Sequence, residues 1–248
     1  MKGAIKSAVR RFGGELLGRS PEPKYPSDFG REDIAVIEAV RPYTMTTPPN
    51  MFSLMRAVEY VVAAKIPGSF VECGVWRGGS MMIVAKTLQR LGREDYDLYL
   101  YDTFEGMTAP TTKDATHDAV PALQTFEELQ AKGEKWCYAS LEEVRENVLR
   151  TGYKKERVHF VRGPVEETLP GSAPADICLL RLDTDWYQST KHELETLYPR
   201  LSQRGVLIID DYGHWKGSRQ ATDEYFAAHQ IVPMLNRVDQ TSRLMLKL

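Results

Sequence analysis

The sequence predicts an α/β fold in which a mostly parallel sheet is covered by helices on both faces. Short runs of apolar and β-branched residues alternate with longer segments of helical periodicity. The first such run, Ser69–Cys73, is followed by a turn with Gly74, Gly78 and Gly79, and a helix is predicted over residues 80–91. A strand, glycine turn and helix in this order bring backbone N–H groups and a positive helix end close to a ligand.

Glu72, two positions before Gly74, indicates which ligand is bound. Glu72 lies inside the predicted strand, where its carboxylate would repel a pyrophosphate but would suit the positive sulfonium and amino groups of S-adenosylmethionine. The spacing of Gly74, Gly78 and Gly79 also departs from the G-x-G-x-x-G pattern of dinucleotide-binding proteins. The sequence therefore favours S-adenosylmethionine over a dinucleotide.

The remaining elements follow the same alternation. Strands are predicted over residues 98–101, 158–162, 176–182 and 205–209, helices over 33–40, 51–65, 140–149, 190–201 and 217–228, and two last strands within 231–248. Asp102 follows the second strand, where an acid of a nucleotide-binding sheet commonly accepts ribose hydroxyls. A turn or capping role is the alternative for this residue.

The length of 248 residues suits one domain, which we place over residues 31–248. Residues 1–30 form an N-terminal arm with an amphipathic helical pattern and a proline-rich linker, PEPKYP. We expect the arm to pack on its own domain or on a neighbouring subunit, with membrane-surface contact as the alternative. Residues 106–140 are longer than an ordinary connection, and we expect them to form a lid over the ligand.

Composition excludes several classes of protein. A net charge of −2 lacks the basic excess of a nucleic-acid-binding protein. The three cysteines are widely spaced and form no zinc-binding pattern or disulfide framework. No apolar run approaches the ~20 residues of a membrane span, and basic residues interrupt the start of the chain. We therefore expect a cytoplasmic protein that binds neither nucleic acid nor membrane.

Four acids follow two neighbouring predicted strands. Asp183 and Asp185 come after the fourth strand, and Asp210 and Asp211 after the fifth. Because ligands of parallel sheets bind at the carboxyl ends of the strands, these acids are expected to converge. Their repulsion would be relieved by a hard cation, Mg²⁺ most naturally, although Mn²⁺ and Ca²⁺ fit as well.

Such a cation would favour the ionised form of an acceptor hydroxyl, while a nearby carboxylate takes its proton. We predict Asp183, Asp210 and Asp211 as metal ligands and Asp185 as the base. Capping of the following helix is the alternative for Asp183 and Asp185. His214 is a second candidate base, with a hydrogen-bonded loop histidine as the alternative.

Five motifs in order resemble those of the macrocin O-methyltransferase family. They are YTMT at residues 43–46, IPGSFVECGVWRGGSMM at 66–82, YDTFEGM at 101–107, LRLDTDWYQST at 180–190 and DDYGHWKG at 210–217. The resemblance covers roughly residues 40–230 and implies a class I S-adenosylmethionine-dependent methyltransferase fold, Rossmann-like, with a seven-stranded mixed sheet. It also implies an enzyme of antibiotic biosynthesis that uses S-adenosylmethionine and Mg²⁺ to methylate a deoxysugar hydroxyl on a glycosylated natural product. We expect this enzyme to be a homo-oligomer.

The same resemblance assigns residues to the site. It implies that the cofactor is bound by Met45, Thr46, Glu72, Gly74, Ser80, Asp102, Thr103, Phe104, Ser140 and Gly163. It places Tyr43 in the sugar pocket, and it matches Asp183, Asp210 and Asp211 to the metal acids and Asp185 to the base. Thr184 departs from the glycine more common between the two acids of that motif.

Two other functions stay open at the level of the sequence. The acceptor could be a catechol or another phenol, which would keep the metal chemistry. The chain could also be a catalytically silent subunit that binds the cofactor, although a scaffold has no evident need for four converging acids.

Overall fold

A central sheet organises the protein, which was analysed as a computed structural model describing residues 25–248. The sheet has seven strands in the order β3-β2-β1-β4-β5-β7-β6. The strands are β1 (Ser69–Cys73), β2 (Leu98–Asp102), β3 (Val158–Arg162), β4 (Ile177–Leu182), β5 (Leu201–Ile209), β6 (Asn236–Arg237) and β7 (Arg243–Leu246). The predicted helix of the N-terminal arm and most of the proline-rich linker lie outside the described residues.

Eight α-helices belong to the described part of the chain. They are α1 (Arg31–Val40), α2 (Pro48–Ala63), α3 (Gly79–Arg90), α4 (Ala122–Ala131), α5 (Leu141–Leu149), α6 (Val165–Thr168), α7 (Tyr187–Leu197) and α8 (Lys216–Ala228). Within residues 25–248, none of the helices has both the length and the apolar character that a membrane span requires.

Alternate strand residues face opposite sides of the sheet, so the strands contribute to two hydrophobic cores. On one face, Phe70 and Leu100 belong to a core shared with α1, α2, α3 and α5. On the other face, Val71 and Tyr101 belong to a core shared with α7 and α8. The predicted seven-stranded mixed sheet with helices on both faces is therefore confirmed.

The strand order positions the functional site. Strands β1 to β5 pair in parallel, whereas β7 is antiparallel to both β5 and β6. The order reverses at β1, which pairs with β2 on one side and with β4 on the other. In open parallel sheets, this switch point opens a crevice at the carboxyl ends of the strands. The predicted glycine turn and the predicted acids follow the strands at this crevice.

Helix α2 begins earlier than the sequence pattern indicates. It begins at Pro48 rather than at residue 51, and the Thr47 hydroxyl accepts a hydrogen bond from the Asn50 N–H at 3.3 Å. Threonine is a favourable N-cap residue, and proline is tolerated in the first turn because its missing N–H would have no partner there. The predicted bounds followed the apolar stripe and missed this cap.

The region between β4 and β5 also differs from the prediction. Helix α7 begins at Tyr187 rather than at residue 190, and after Leu197 the chain continues as a 3₁₀ turn over Tyr198–Arg200. Strand β5 begins at Leu201, four residues before the predicted start, and passes an irregular register with Arg204 at φ 66°. An irregularity of this kind interrupts the period-two pattern, which hides the first half of the strand from sequence analysis.

Candidate active site

Two acidic loops follow the central strands: the first, residues 183–186, lies between β4 and α7, and the second, residues 210–215, lies between β5 and α8. The end of β1 touches the first acidic loop through Gly74. This glycine has φ 79°, and a Cβ at its position would lie 2.1 Å from the carbonyl oxygen of Asp183. The Asp183 N–H in turn donates to the Cys73 carbonyl at 2.9 Å. Only glycine allows this approach, because any side chain would collide with the backbone of the acidic loop. The glycine turn therefore fixes the position of Asp183.

Asp102, the predicted ribose ligand, is held by the same turn. Its Oδ2 accepts hydrogen bonds from the N–H groups of Val75 at 2.8 Å and Trp76 at 3.0 Å, and its Oδ1 accepts from Phe104 N–H at 2.8 Å. Burial raises the pKa of Asp102, and these backbone donors oppose that rise. The Thr103 hydroxyl also lies 3.4 Å from Oδ1, but it is closer to the Gly106 carbonyl, at 2.6 Å. A carboxylate has about four acceptor positions, so a ribose hydroxyl could take the position of this long contact.

A buried arginine that the sequence analysis missed links the acids. Arg181 on β4 is the register partner of Glu72 on β1, and its Nη1 lies 2.6 Å from Glu72 Oε1. The same nitrogen lies 2.5 Å from Asp183 Oδ2, and Nη2 lies 2.7 Å from Asp210 Oδ1. Burial raises the pKa of Glu72 to about 7, against the opposing effects of Arg181 and of a hydrogen bond with Ser80. One guanidinium thus contacts three of the predicted site acids.

Three of the four strand-end acids form one cluster. Carboxylate oxygens of Asp183, Asp185 and Asp211 all lie within 4.8 Å of one another. Burial raises the pKa of Asp183 and of Asp211 well above their ordinary range, and repulsion by neighbouring carboxylates adds to this rise. Arg181 opposes the rise at Asp183. Burial likewise raises the pKa of Asp185 to about 7. Asp211 Oδ2 is buried without a hydrogen-bond partner, which leaves an acceptor for a cation.

The fourth acid, Asp210, lies beside this cluster and has partners of its own. Its Oδ1 accepts a hydrogen bond from Asn50 Nδ2 at 2.7 Å, in addition to its ion pair with Arg181. The compact group in the structure therefore contains Asp185, whereas the predicted metal trio contained Asp210. Asn50 lies on α2, and sequence analysis gave no signal for it because 160 positions separate it from Asp210.

The alternative interpretation of Asp183 and Asp185, that one of them caps the following helix, is wrong. The N-cap position of α7 is Trp186, which makes no capping hydrogen bond with its side chain. The N–H of Tyr187 instead donates to Oδ1 of Asp114, from the insertion, at 2.7 Å. Asp185 has φ 70°, an uncommon conformation for a residue other than glycine, and such strain is often found at functional sites.

Two cavities meet at the acids. The first is lined by the predicted cofactor residues Gly74, Asp102, Thr103 and Gly163. The second is lined by the predicted residues Tyr43, Thr46, Ser80, Asp210, Asp211 and His214. Five residues line both cavities: Met45, Trp76, Cys137, Asp183 and Asp185. The cluster therefore lies where two separate ligands could meet.

Three predicted cofactor residues do not line either cavity. Glu72 is buried beneath the acids against Arg181. Phe104 is buried in the hydrophobic core. The Ser140 hydroxyl accepts from the Glu143 N–H at 3.2 Å and so caps helix α5. The predicted contacts of Phe104 and Ser140 with the adenosine stay predictions.

His214, the second candidate base, lies at the edge of the second cavity. Burial lowers its pKa, with a smaller contribution from His117. The two imidazole rings lie 5.8 Å apart, and the His214 ring packs edge-on against Trp215 at 4.7 Å. A lowered pKa keeps His214 neutral near pH 7, so it could accept a proton.

All four tryptophans of the chain line the two cavities. Trp186 packs edge-on against Trp215 at 5.0 Å and against Trp136 of the insertion at 5.7 Å. Trp186 Nε1 donates to the Thr108 carbonyl at 3.0 Å. Sequence analysis named none of them, although the clustering of tryptophans next to the acidic motifs was a usable signal.

The sheet order and the glycine turn at the switch point are those of the class I S-adenosylmethionine-dependent methyltransferase fold. The chain belongs to the macrocin O-methyltransferase family, whose family model matches residues 31–247. The predicted family, fold and class of enzyme are therefore confirmed.

Named relatives agree with this assignment. The chain is 34% identical over 199 residues to the 8-demethyl-8-(2,3-dimethoxy-alpha-L-rhamnosyl)-tetracenomycin-C 4'-O-methyltransferase of Streptomyces olivaceus, covering 80% of this chain and 73% of the relative. It is 31% identical over 229 residues to the demethyldecarbamoylnovobiocin O-methyltransferase of Streptomyces niveus, covering 88% of this chain and 84% of the relative.

Solved structures support the fold. The O-methyltransferase NovP superposes with a TM-score of 0.72 at 29% identity, over 83% of this chain and 82% of that one. A calicheamicin methyltransferase superposes with a TM-score of 0.60 over 98% and 92% of the two chains. At 18% sequence identity, this second structure is evidence for the fold only.

Proposed function

We propose that this protein transfers the methyl group of S-adenosylmethionine to a hydroxyl of a deoxysugar on a glycosylated natural product, in antibiotic biosynthesis and with Mg²⁺ bound. The observation that carries the proposal is that two cavities share Asp183 and Asp185 along their common boundary. A transfer between two substrates requires such a meeting point. Relatives that act on a rhamnosyl tetracenomycin and on a novobiocin precursor support a sugar-bearing acceptor.

The first cavity is the proposed site of the cofactor. Asp102, with acceptor capacity beyond its three backbone bonds, would hold the ribose, and Gly74 would allow close approach of the ligand to the backbone. Ser80 and Thr46 line the second cavity and Glu72 is buried against Arg181, so the methionine end would have to reach past Asp183 for Ser80 to face it. Glu72 would then act on the positive sulfur from beneath the acids, and Met45, which lines both cavities, would lie at the entrance with Thr46. When bound, S-adenosylmethionine supplies an electrophilic methyl group on a positive sulfur.

The acid cluster fits a hard divalent cation. Its carboxylates repel one another, Asp211 Oδ2 has no partner, and oxygen ligands suit Mg²⁺. We propose that the ion is held by Asp183 and Asp211 of this cluster together with Asp210, which lies beside it, and that Asp185 is the alternative third ligand. When bound, the ion would offset this repulsion and lower the pKa of an acceptor hydroxyl.

Asp185 is the proposed general base, and His214 is the second candidate. Asp185 lies on the boundary of the two cavities, where it could accept a proton from the acceptor hydroxyl. Burial raises its pKa to about 7 in the ion-free site, and a bound cation would lower it and so favour the ionised form that a base requires. The acceptor would occupy the second cavity, with its sugar near Tyr43. Trp136 and Trp215 line the same cavity and would limit the access of water to the reacting hydroxyl.

Methyl transfer to a panel of acceptors tests the proposal. Glycosylated macrolides and rhamnosylated polyketides should be methylated, whereas catechols should not, and excess EDTA should abolish turnover until Mg²⁺ is restored. Asp183→Asn and Asp211→Asn should lower turnover by about 10²-fold or more, while binding of S-adenosylhomocysteine, measured by calorimetry, is retained. Asp223→Asn is the matched control, since Asp223 accepts from the Tyr212 hydroxyl at an exposed position.

Each other outcome names a different function. Turnover in excess chelator would contradict the role of the metal, and methylation of catechols without a sugar would indicate a phenol O-methyltransferase. Binding of S-adenosylmethionine without Mg²⁺ affinity and without turnover on any acceptor would indicate a silent subunit. The predicted homo-oligomer is a separate matter, which light scattering of the purified protein would decide.

A further inference from the structure

The first half of the insertion is fastened to the second acidic loop. The His117 N–H donates to the His214 carbonyl at 2.8 Å, and the Lys216 N–H donates to the Ala115 carbonyl at 2.8 Å. Thr116 and Trp215 form an isolated antiparallel bridge between these two bonds. Residues 115–117 therefore run as a short strand partner of the segment that follows Asp210 and Asp211.

The carboxylate of Asp114 makes the corresponding link to the first acidic loop. Asp114 is only 1% exposed, and its Oδ1 accepts from the Tyr187 N–H at 2.7 Å. Its Oδ2 accepts from the N–H and the hydroxyl of Thr111, at 2.7 and 2.8 Å. Tyr187 is the first residue of α7, where a backbone N–H has no partner within the helix and the positive helix end favours a carboxylate.

The same carboxylate also packs against the start of α8. Gly217 is the second residue of that helix, and a Cβ there would lie 2.1 Å from Asp114 Oδ1 and 2.9 Å from the Tyr187 nitrogen. The Asp114 carboxylate thus fills the contact between the first turns of α7 and α8. These two helices begin shortly after Asp185 and Asp211, respectively.

We propose that Asp114 is a positioning residue that fixes the spacing of the two acidic loops by joining the starts of α7 and α8. Its role in catalysis rests on the proposed function, because it acts through Asp183, Asp185 and Asp211 and touches no reacting atom. The alternative is that its bonds to Thr111 only stabilise a turn within the insertion. Under that alternative, loss of the bond to Tyr187 and of the contact with Gly217 would not affect the positions of the acids.

Hydrogen exchange of the backbone amides separates these two accounts. In Asp114→Ala, peptides covering residues 183–190 and 210–219 should both exchange roughly 5-fold faster, as expected for loss of a helix cap. Asp114→Asn keeps an oxygen that can accept from Tyr187, but its amide nitrogen cannot accept from the Thr111 N–H. Exchange should therefore rise within residues 106–122 and stay close to that of the parent protein in the other two peptides. In Asp114→Ala, faster exchange confined to residues 106–122 would overturn the proposal.

A second buried aspartate provides the control for general destabilisation. Asp33 is buried, accepts from the Gly30 N–H at 3.1 Å and pairs with Arg56 at 2.6 Å, in the layer of α1 and α2. Asp33→Ala should lower the melting temperature without faster exchange in the two acidic loops. If Asp33→Ala at an equal loss of stability accelerated both loops as much as Asp114→Ala, the proposal would be wrong.

Kinetics provide the readout that connects positioning to chemistry. With an acceptor that the parent enzyme methylates, Asp114→Ala should reduce kcat about 10-fold with little change in the KM for S-adenosylmethionine, and Asp114→Asn should restore most of it. Unchanged kcat despite faster exchange in both loops would overturn the catalytic role. Failure of the parent enzyme on every acceptor would contradict the proposed function instead, and hydrogen exchange would still decide the structural role.

Discussion

Arg181 and Glu72 are direct register partners on the adjacent parallel strands β4 and β1, and their side chains meet at 2.6 Å with each only 2% exposed. The same guanidinium holds Asp183 and Asp210. The acid proposed to act on the positive sulfur of the cofactor is thereby joined to two of the proposed metal ligands through one buried cation. A change at Arg181 is expected to reach both sites.

Replacing Arg181 tests how much this arrangement stabilises the protein. Arg181→Met should lower the free energy of unfolding by about 3–5 kcal/mol, because it leaves buried carboxylates without their cation. Urea denaturation would measure the loss. The double variant Arg181→Met with Glu72→Gln should recover part of it, since the uncompensated charge of Glu72 is removed. A loss below about 1 kcal/mol in the single variant would show that the carboxylates are neutral or find other partners.

The contact between Gly74 and Asp183 predicts a specific loss in Gly74→Ala. The new Cβ would collide with the Asp183 carbonyl. The free energy of unfolding should therefore fall by about 1–3 kcal/mol more than the positive φ alone would cost, and activity should be lost. Gly92→Ala is the matched control, because Gly92 also has positive φ, 65°, but no atom within 4 Å of the added Cβ. Equal losses in melting temperature and activity for both variants would contradict this explanation.

The thiol of Cys137, between the two cavities, reports on the neighbouring carboxylates. Burial, followed by repulsion from Asp185 and Asp183, raises the pKa of Cys137 to about 12, so the fraction of reactive thiolate is small at neutral pH. Alkylation should therefore rise about tenfold per pH unit with no plateau near the ordinary value of about 8.5. Mass spectrometry of the Cys137 peptide would measure the rate.

Two comparisons extend this experiment. Asp185→Asn should speed the alkylation of Cys137 at a given pH, because it removes the carboxylate with the largest repulsive effect on the thiolate. Cys73 and Cys178 are fully buried and serve as internal references that should stay unmodified. A plateau in the Cys137 rate near pH 9 would show that neither burial nor the acids raise the pKa of this thiol, and an unchanged rate in Asp185→Asn would show that Asp185 does not act on it.

Variants of Asp210 and Asp185 can decide which of these two residues is a ligand of the metal ion. If Asp210 is a ligand and Asp185 the base, Asp210→Asn should weaken Mg²⁺ binding about 10-fold or more, whereas Asp185→Asn should abolish turnover with little loss of Mg²⁺ affinity. Calorimetry with Mg²⁺ alone would measure both affinities. The reverse result would assign the ion to Asp183, Asp185 and Asp211, the three residues whose oxygens lie within 4.8 Å of one another.

The proposed lid predicts protection of α4 on ligand binding. Ala122 is the sole buried residue of this helix, so α4 contributes little to the core and should be accessible to protease. S-adenosylhomocysteine, with or without an acceptor, should slow cleavage within residues 122–135. Cleavage that is unchanged by saturating ligand would count against a lid.

Sequence analysis predicted the parts of the site that depend on strand order. Strand β3 has the predicted bounds, residues 158–162, and Asp183 and Asp211 meet because the ends of neighbouring parallel strands must adjoin. Arg181 was missed because it was counted within an apolar strand. A usable sign of its role was that each of two buried strands contains one charged residue, Glu72 in β1 and Arg181 in β4. The structure makes these two residues register partners.

Other contacts could not be predicted because they depend on the paths of loops. Asn50 reaches Asp210 across 160 positions, and Asp114 reaches Tyr187 across 73. No periodicity relates such residues, and only the folded chain brings them together. Gly106, Trp136 and Cys137 of the insertion line the cavities, and its expected role as a lid stays a prediction. Its helix α4 and its bonds to the second acidic loop follow from tertiary contacts.

The bonds between residues 115–117 and 214–216 divide the insertion into an anchored base and an outer helical segment. Residues 123–131 of α4 contribute no fully buried side chain, so we expect that their length and composition can change without displacing the acids. Grafting this segment from an enzyme with a different acceptor offers a route to new glycoside products on an unchanged catalytic frame.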